Sequence, residues 1–433
     1  MKKIIDFVTK NPVVITIIIC FLFYFLPFKP MPFGDGEYHE GTIQLIDFVL
    51  NGFHGNVRID KGLFTLFYYF IPYSFAYVFH NNTVYYFFGI IFNCIVICFG
   101  INYLFKAFNL SFFLEKSKFW TVLLINLFPI HIYYAMGILA ETPSFFAVCI
   151  LVYTWVKISY SKSYSIYHLL SLVFSIVMLV GCRPNLFPFA LLFLFYFLTL
   201  KVNLNHKLIF LGSFISVMTI ITICERKGSS RNDNFKKEVF RKQLLWSRFE
   251  LRDEPFNWLP QHGQDQFSSS DYLNNLSKRR ELDSICETNH LDKTVYYVNW
   301  VKNDIINNPI LTLRQYVLKF FQSQSFIISP LMKSNINNSI KYGIHFYINS
   351  INFLLIFLSI FSIYLLIKEK EYQLLIPFIM LWSWSLIYVF IFHSEQRYMF
   401  PNRPILIFLF AYFVNHISRK ANTVDCSKKS NQI

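Results

Sequence analysis

The chain has 433 residues, of which 55% are hydrophobic and only 15% charged, where a soluble domain carries about 25% charged residues. Its mean hydropathy is +0.41, and its 52 Phe and 27 Tyr exceed what a soluble core uses but suit lipid-facing helices and interfacial belts. The formal charge of +15 would suggest nucleic acid in a soluble protein; here much of it stands in short loops between apolar runs, so membrane topology accounts for it.

The chain opens with Met1-Lys2-Lys3 and an apolar run ending at Leu26-Pro27. Phe, Tyr and Lys occupy the place where a signal peptide has its small-residue cleavage site, so an uncleaved anchor is expected. Further stretches near the length of a bilayer span (about 17–25 residues) recur. They fall near 12–28, 63–80, 84–105, 119–137, 140–158, 166–182, 186–200, 206–224, 344–367, 372–392 and 402–418. The expected fold is an all-α polytopic helix bundle of about 10–11 spans. Three regions follow: an N-terminal transmembrane module over 1–224 with an outer loop at 29–62, a larger outer loop with an amphipathic segment over 225–343, and C-terminal spans with a tail over 344–433. The 225–312 stretch is polar, with scattered Trp and Leu, and reads as partly helical and loosely packed, a lid or a passive linker. No internal repeat is evident. Cys20, Cys94, Cys98, Cys149 and Cys182 lie in apolar runs with no CxxC pair, so they read as small hydrophobes and not as a disulfide or metal framework.

Basic loops orient the spans. Lys2, Lys3 and Lys10 put the N-terminus inside, as do Lys106, Lys116 and Lys118 for their loop, then Lys157 with Lys162, Lys201 with Lys207, and Lys368 with Lys370. The 29–62 loop, the turns at 137–141, 182–185 and 393–404, and the segment 225–343 then fall outside. Between 63 and 105 two apolar segments stand where the charge rule needs one net crossing, so one of them is expected only to dip into the membrane.

With this orientation the unusual residues collect on the outer face. The first outer loop carries Gly34-Asp35-Gly36-Glu37-Tyr38-His39, then Arg58-Ile59-Asp60-Lys61-Gly62. The later turns carry Glu141, then Arg183-Pro184-Asn185, then Glu395-Gln396-Arg397-Tyr398. A cavity with guanidinium and ammonium donors suits a phosphate or pyrophosphate. Sugar transfer from a lipid phosphate needs a carboxylate to take the acceptor's proton and cations for the departing phosphate. Asp35, on a Gly-Asp-Gly turn, is the candidate base. Lys61, Arg183 and Arg397 are candidates for the phosphate. Glu37 or Asp60 would orient the acceptor or hold a divalent cation through oxygen ligands. His39, Asn185, Glu395 and Tyr398 are candidate support, and Glu141 is either a site residue or the salt-bridge partner of an arginine.

One span, an acidic outer loop, an Asp60-Lys61 pair opening the next apolar segment, an Arg183-Pro184-Asn185 turn, a large outer loop and Arg397-Tyr398-Met399-Phe400-Pro401 before the last span follow one another in a known order. The chain resembles the GT-C superfamily of membrane glycosyltransferases, which includes protein O-mannosyltransferases, aminoarabinose transferases of lipid A and oligosaccharyltransferase catalytic subunits. Asn308-Pro309, with Arg314 and Lys319 before Phe320-Phe321, is similar to a segment ahead of the later spans in bacterial members. Where the aminoarabinose and mannosyl branch follows its acidic-Lys pair with two prolines, this chain has Gly62-Leu63.

The resemblance implies a polyprenyl-phosphate-linked sugar donor and a lipid, glycan or protein acceptor. It also implies an outward-facing site in a bacterial inner membrane and inverting displacement with Asp35 as base or metal ligand. No nucleotide cofactor is implied, since no P-loop or Rossmann motif occurs; magnesium or manganese, held by Asp35 and Glu37, is the candidate cofactor. The rival readings are a polysaccharide (O-antigen) polymerase, which would rely on arginines without the acidic first loop, and a lipid-linked saccharide transporter, which would place ionisable residues at the bilayer midplane.

Overall fold

The structure is a computed structural model that describes residues 2–26, 30, 32, 36–54, 57, 62–127, 129–160, 165–228, 233–252, 270–326, 328, 331, 334–392 and 396–430. The described residues are helical, without a strand, which agrees with the all-α polytopic class. Among the described residues, five helices are long and apolar enough to cross a membrane: Asn82–Leu110, Glu141–Tyr160, Leu204–Cys224, Asn338–Lys368 and Tyr372–Ile391. Shorter apolar helices cover Pro12–Tyr24, Leu63–Phe79, Ile166–Cys182 and Pro184–Thr199. The chain divides into two compact units, one of Met1–Ser229, Phe353–Trp382 and Phe400–Ile433, the other of Ser230–Asn352 and Ser383–Met399.

In the first unit the elements run α1 (Lys2–Lys10), α2 (Pro12–Tyr24), α3 (Gly36–Leu50), α4 (Leu63–Ala76), α5 (Asn82–Leu110), α6 (Glu115–Leu127), α7 (Ile130–Ala135), α8 (Glu141–Tyr160), α9 (Ile166–Cys182), α10 (Phe187–Thr199) and α11 (Leu204–Gly228). The apolar run 119–137 is not one helix. It breaks before Pro129, whose ring cannot continue the α6 ladder, and restarts as α7. α8 is the central element, packed between α5 and α9 and touched by the helix Arg403–Ser430. A helix apolar all round belongs in the interior, and α8 buries Trp155 completely, its indole N–H donating to the Gln373 carbonyl at 3.0 Å.

α4 meets the rest of the unit through the ends of other elements. Gly62, just before it, lies against the end of α9. Tyr69 reaches the 137–139 turn, Tyr73 reaches His39, and Tyr77, just past the end of α4, bonds to Asp47 of α3. On α5 it meets Tyr85 and Asn93, in the first half of that 29-residue helix.

The second unit contains α12 (Asp233–Phe249), α13 (Ser270–Thr288), α14 (Lys293–Asn307) and α15 (Pro309–Gln324). In its described part the expected loose packing does not hold. Leu245, Phe249, Leu282 and Tyr297 form a buried core, and a polar network sits beside it. The Arg248 guanidinium donates to Asp304 Oδ2 at 2.6 and 2.9 Å, to Gln315 Oε1 at 3.0 Å and to Thr312 Oγ1 at 3.2 Å. Gln315 donates onward to the Ser247 and Glu250 carbonyls at 3.0 and 2.6 Å. The Asn308 amide donates to Asp304 Oδ1 at 3.0 Å, which ties the Asn308-Pro309 junction between α14 and α15 into the network. Lys319 is fully buried. It donates to Ser247 Oγ at 2.5 Å and to the Phe390 carbonyl at 3.3 Å, with Glu250 at 3.7 Å.

Two expectations follow. Asp304→Ala strands the buried Arg248 charge and destabilises the protein by about 3–5 kcal/mol, read as a drop in thermal midpoint of the purified protein. Burial pushes the Lys319 pKa down to about 8, with Glu250 opposing and Arg248 adding to the shift. The folded state therefore sheds this proton before the unfolded state does. Stability rises as pH climbs from about 8 toward the ordinary lysine value of 10.5. Lys319→Met should abolish that rise in thermal melts across the interval.

Candidate active site

The first unit gathers its polar groups around the start of α8. Glu141 is the first residue of α8, where a carboxylate favours the positive end of the helix dipole, and Arg183 caps the end of α9, where a cation favours the negative end. Pro184 then stops α9 from continuing. Arg183 Nη2 lies 2.5 Å from Glu141 Oε1, with the side chains only 10% and 1% exposed. Of the two readings open for Glu141, the ion-pair geometry is therefore present. Asn185 lies half-buried in the turn that follows.

The turn before α8 is held by side chains. The Tyr69 hydroxyl donates to the Leu139 carbonyl and accepts from the Leu139 N–H, both at 2.9 Å. The Asn93 amide donates to the carbonyls of Ala135 and Gly137 at 3.0 and 2.9 Å, and accepts from the Tyr68 hydroxyl at 2.8 Å. Tyr86 donates to the Met136 carbonyl at 2.8 Å. A buried turn must satisfy its backbone groups somewhere, and here phenols and an amide do so.

The same turn anchors the first loop, because the Ile138 N–H donates to the Pro32 carbonyl at 2.9 Å. Gly36 opens α3, which carries Glu37, half-buried, in its first turn, and His39. His39 Nδ1 is 2.9 Å from the Tyr73 hydroxyl and Nε2 is 3.2 Å from Asn82 Oδ1. An amide oxygen only accepts, so Nε2 carries the proton and Nδ1 accepts from the phenol. Burial lowers the His39 pKa, with Asn82 and Glu40 opposing, which keeps the ring neutral at physiological pH. Both ring nitrogens are thus occupied in holding α3 on α4 and α5.

Asp35, Asp60, Lys61 and Glu395 fall outside the described residues. Gly62, next to Lys61, is described, and its departure from a proline pair has a physical reason. A Cβ on Gly62 would stand 2.3 Å from the Gly181 carbonyl oxygen, and one on Gly181 would stand 2.5 Å from the Phe64 ring. The start of α4 and the end of α9 therefore touch backbone to backbone, beside Arg183. Arg397 and Tyr398 belong to the second unit, where Tyr398 packs on Tyr388 with ring centroids 5.0 Å apart. Among the described residues no group of three His, Cys, Asp or Glu is placed to hold a metal.

Two residues near the start of α8 escape sequence reasoning. His131 is 1% exposed, stacks on Phe145 at 5.5 Å and 12°, and neither ring nitrogen has a hydrogen-bond partner among the described residues. Arg403, 7% exposed at the head of the helix Arg403–Ser430, acts electrostatically on it. Phe400 completes the contact, packing on Tyr134 at 4.6 Å and on Phe145 at 5.8 Å. The only signals in the sequence are a histidine two residues after the Pro129 break and an arginine between Pro401 and Pro404. Gly62→Ala is expected to force α4 away from α9, because the obstructing atom is backbone. It should lower the thermal midpoint and any transfer activity together, whereas Gly212→Ala, whose Cβ meets nothing within 4 Å, should change neither.

Residues 333–431 match the model of the Alg9-like mannosyltransferase family. None of the curated proteins matches the chain. The match covers less than a quarter of the chain and stands on a bundle with, among the described residues, five helices of spanning length; it supports the resemblance to GT-C membrane glycosyltransferases seen in the sequence.

Proposed function

We propose that the protein moves one sugar, mannose being the first candidate, from a polyprenyl-phosphate donor to an acceptor on the outer face of the inner membrane. The family match supports a lipid-linked donor and mannose as the sugar. The reading of the site rests on the buried Glu141–Arg183 pair beside the turn that anchors the first loop.

In the proposed reaction an acceptor hydroxyl attacks the anomeric carbon from the face opposite the phosphate. The new carbon–oxygen bond forms as the bond from that carbon to the phosphate oxygen breaks, so the configuration inverts. The bonding electrons leave with the lipid phosphate, and the proton of the attacking hydroxyl passes to the Asp35 carboxylate. Arg183 meets the phosphate charge, with Glu141 holding its guanidinium in place until then. Lys61, one residue before the Gly62 contact, is the second cation assigned to the phosphate. Glu37 orients the acceptor from the first turn of α3.

The test is genetic and chemical together. A strain lacking the protein should lose one sugar from its envelope glycans or lipids by mass spectrometry, and the wild-type chain should restore it. Asp35→Asn, expressed at normal level, should fail to restore it, with transfer at least about 100-fold slower. Unchanged glycans and lipids in the deletion strain would refute the transferase reading, and full restoration by Asp35→Asn would refute the assignment of the base alone.

A further inference from the structure

A furrow of about 610 Å3 runs between α2 and α5, with Met136 of the turn before α8 at one end. Its α2 wall uses Val13, Ile17 and Phe21, and its α5 wall uses Ile91, Ile95 and Phe99. These spacings of four residues each keep one helix face. The helices are antiparallel: Tyr24 meets Phe87 at one end with ring centroids 6.5 Å apart, and Val13 shares the other end with Asn102. The furrow therefore follows the helix axes, and from Phe87 to Asn102 it is about 22 Å long. Cys20 and Ile90 form part of its floor, while Phe21 and Phe99 on its rims are 64% and 55% exposed, so it opens sideways along its length. A long apolar trough in a membrane helix pair fits one hydrocarbon chain.

The two ends differ, and the difference selects the lipid. Around Phe87 the lining is Tyr24, Phe25 and Met136, without a charged side chain among the lining residues. At the Asn102 end, Lys106 stands one turn further along the same face of α5, and Lys10 lies two residues before Pro12; both are exposed. The adjoining segments 2–11 and 106–118 together hold six lysines against Asp6 and Glu115, and Glu115 is already engaged by Lys118 at 2.8 Å. A polyprenyl phosphate serving the polar cluster would carry its charge toward Met136, five residues from Glu141, and not toward the lysines.

We infer that this furrow is a binding site for one acyl chain of an anionic glycerophospholipid whose phosphate rests at Lys10 and Lys106. The inference needs only that α2 and α5 lie in the bilayer, and so it stands apart from the proposed transfer reaction. Clusters of basic residues at a helix end recognise anionic headgroups in this way.

Full-length protein in nanodiscs would be irradiated with phosphatidylglycerol or phosphatidylcholine carrying a diazirine on one acyl chain, and the labelled peptides mapped. Phosphatidylglycerol should label α2 and α5 at least about fivefold more than phosphatidylcholine. The Lys10→Gln/Lys106→Gln pair, both exposed and harmless to folding, should bring the two lipids level. Cys94→Trp, which fills the furrow, should remove labelling by both. Equal labelling of the wild-type protein by the two lipids would overturn the proposal, leaving only adventitious annular lipid. Displacement of phosphatidylglycerol by undecaprenyl phosphate would also overturn it, since the furrow would then belong to the isoprenoid donor.

Discussion

The first unit depends on a charge pair that could not exist alone. Glu141 and Arg183 are both withdrawn from water, and a buried charge without its partner costs several kcal/mol. The pair therefore fixes the start of α8 to the end of α9, and the rest of the polar cluster takes its position from that joint. The contact of Gly62 with the Gly181 carbonyl brings α4 onto the same joint. Glycine is required there for the absence of a side chain, not for an unusual backbone angle. In the proposed reaction the same joint supplies a guanidinium that is oriented before substrate arrives, so little reorganisation remains for the transfer step.

The second unit is built on a different economy. Its helices α12 to α15 are polar enough that they would not persist as isolated segments in water. They are held by a small apolar core and by a network in which Arg248 donates to Asp304 and Gln315, while Lys319 donates to Ser247 beside it. Such a network is worth most when complete, because each member is the desolvated partner of another. It also ties down the Asn308-Pro309 junction. Proline opens α15 where its missing N–H costs nothing, and Asn308 bonds back to Asp304.

Much of the helical plan was legible because length and apolarity are local properties. The runs that became α5, α8 and α11 stand out by composition alone. The break at Pro129 was visible in the sequence but outweighed by the apolar residues on either side. The order within 233–324 was not legible, since paired charges such as Arg248 and Asp304 look like a solvated loop until the fold places them together. For the candidate site, Glu141 and Arg183 were found because a charge between two apolar runs is conspicuous. His131 was passed over because a single histidine inside an apolar run ordinarily packs as core. Only its nitrogens, without a hydrogen-bond partner among the described residues, mark it. His39 drew interest for the opposite reason: it stood in a polar loop, yet both its nitrogens are spent on Tyr73 and Asn82.

The turn from Ala135 to Leu139 has its peptide groups answered by Tyr69, Tyr86 and Asn93 and not by solvent. Irregular backbone is tolerated below the headgroup plane only where protein closes around it, and this turn meets that condition. The floor of the polar cluster is thereby free to lie at hydrocarbon depth without needing a water-filled shaft. In the proposed reaction a lipid-linked sugar would then be met within the leaflet it already occupies.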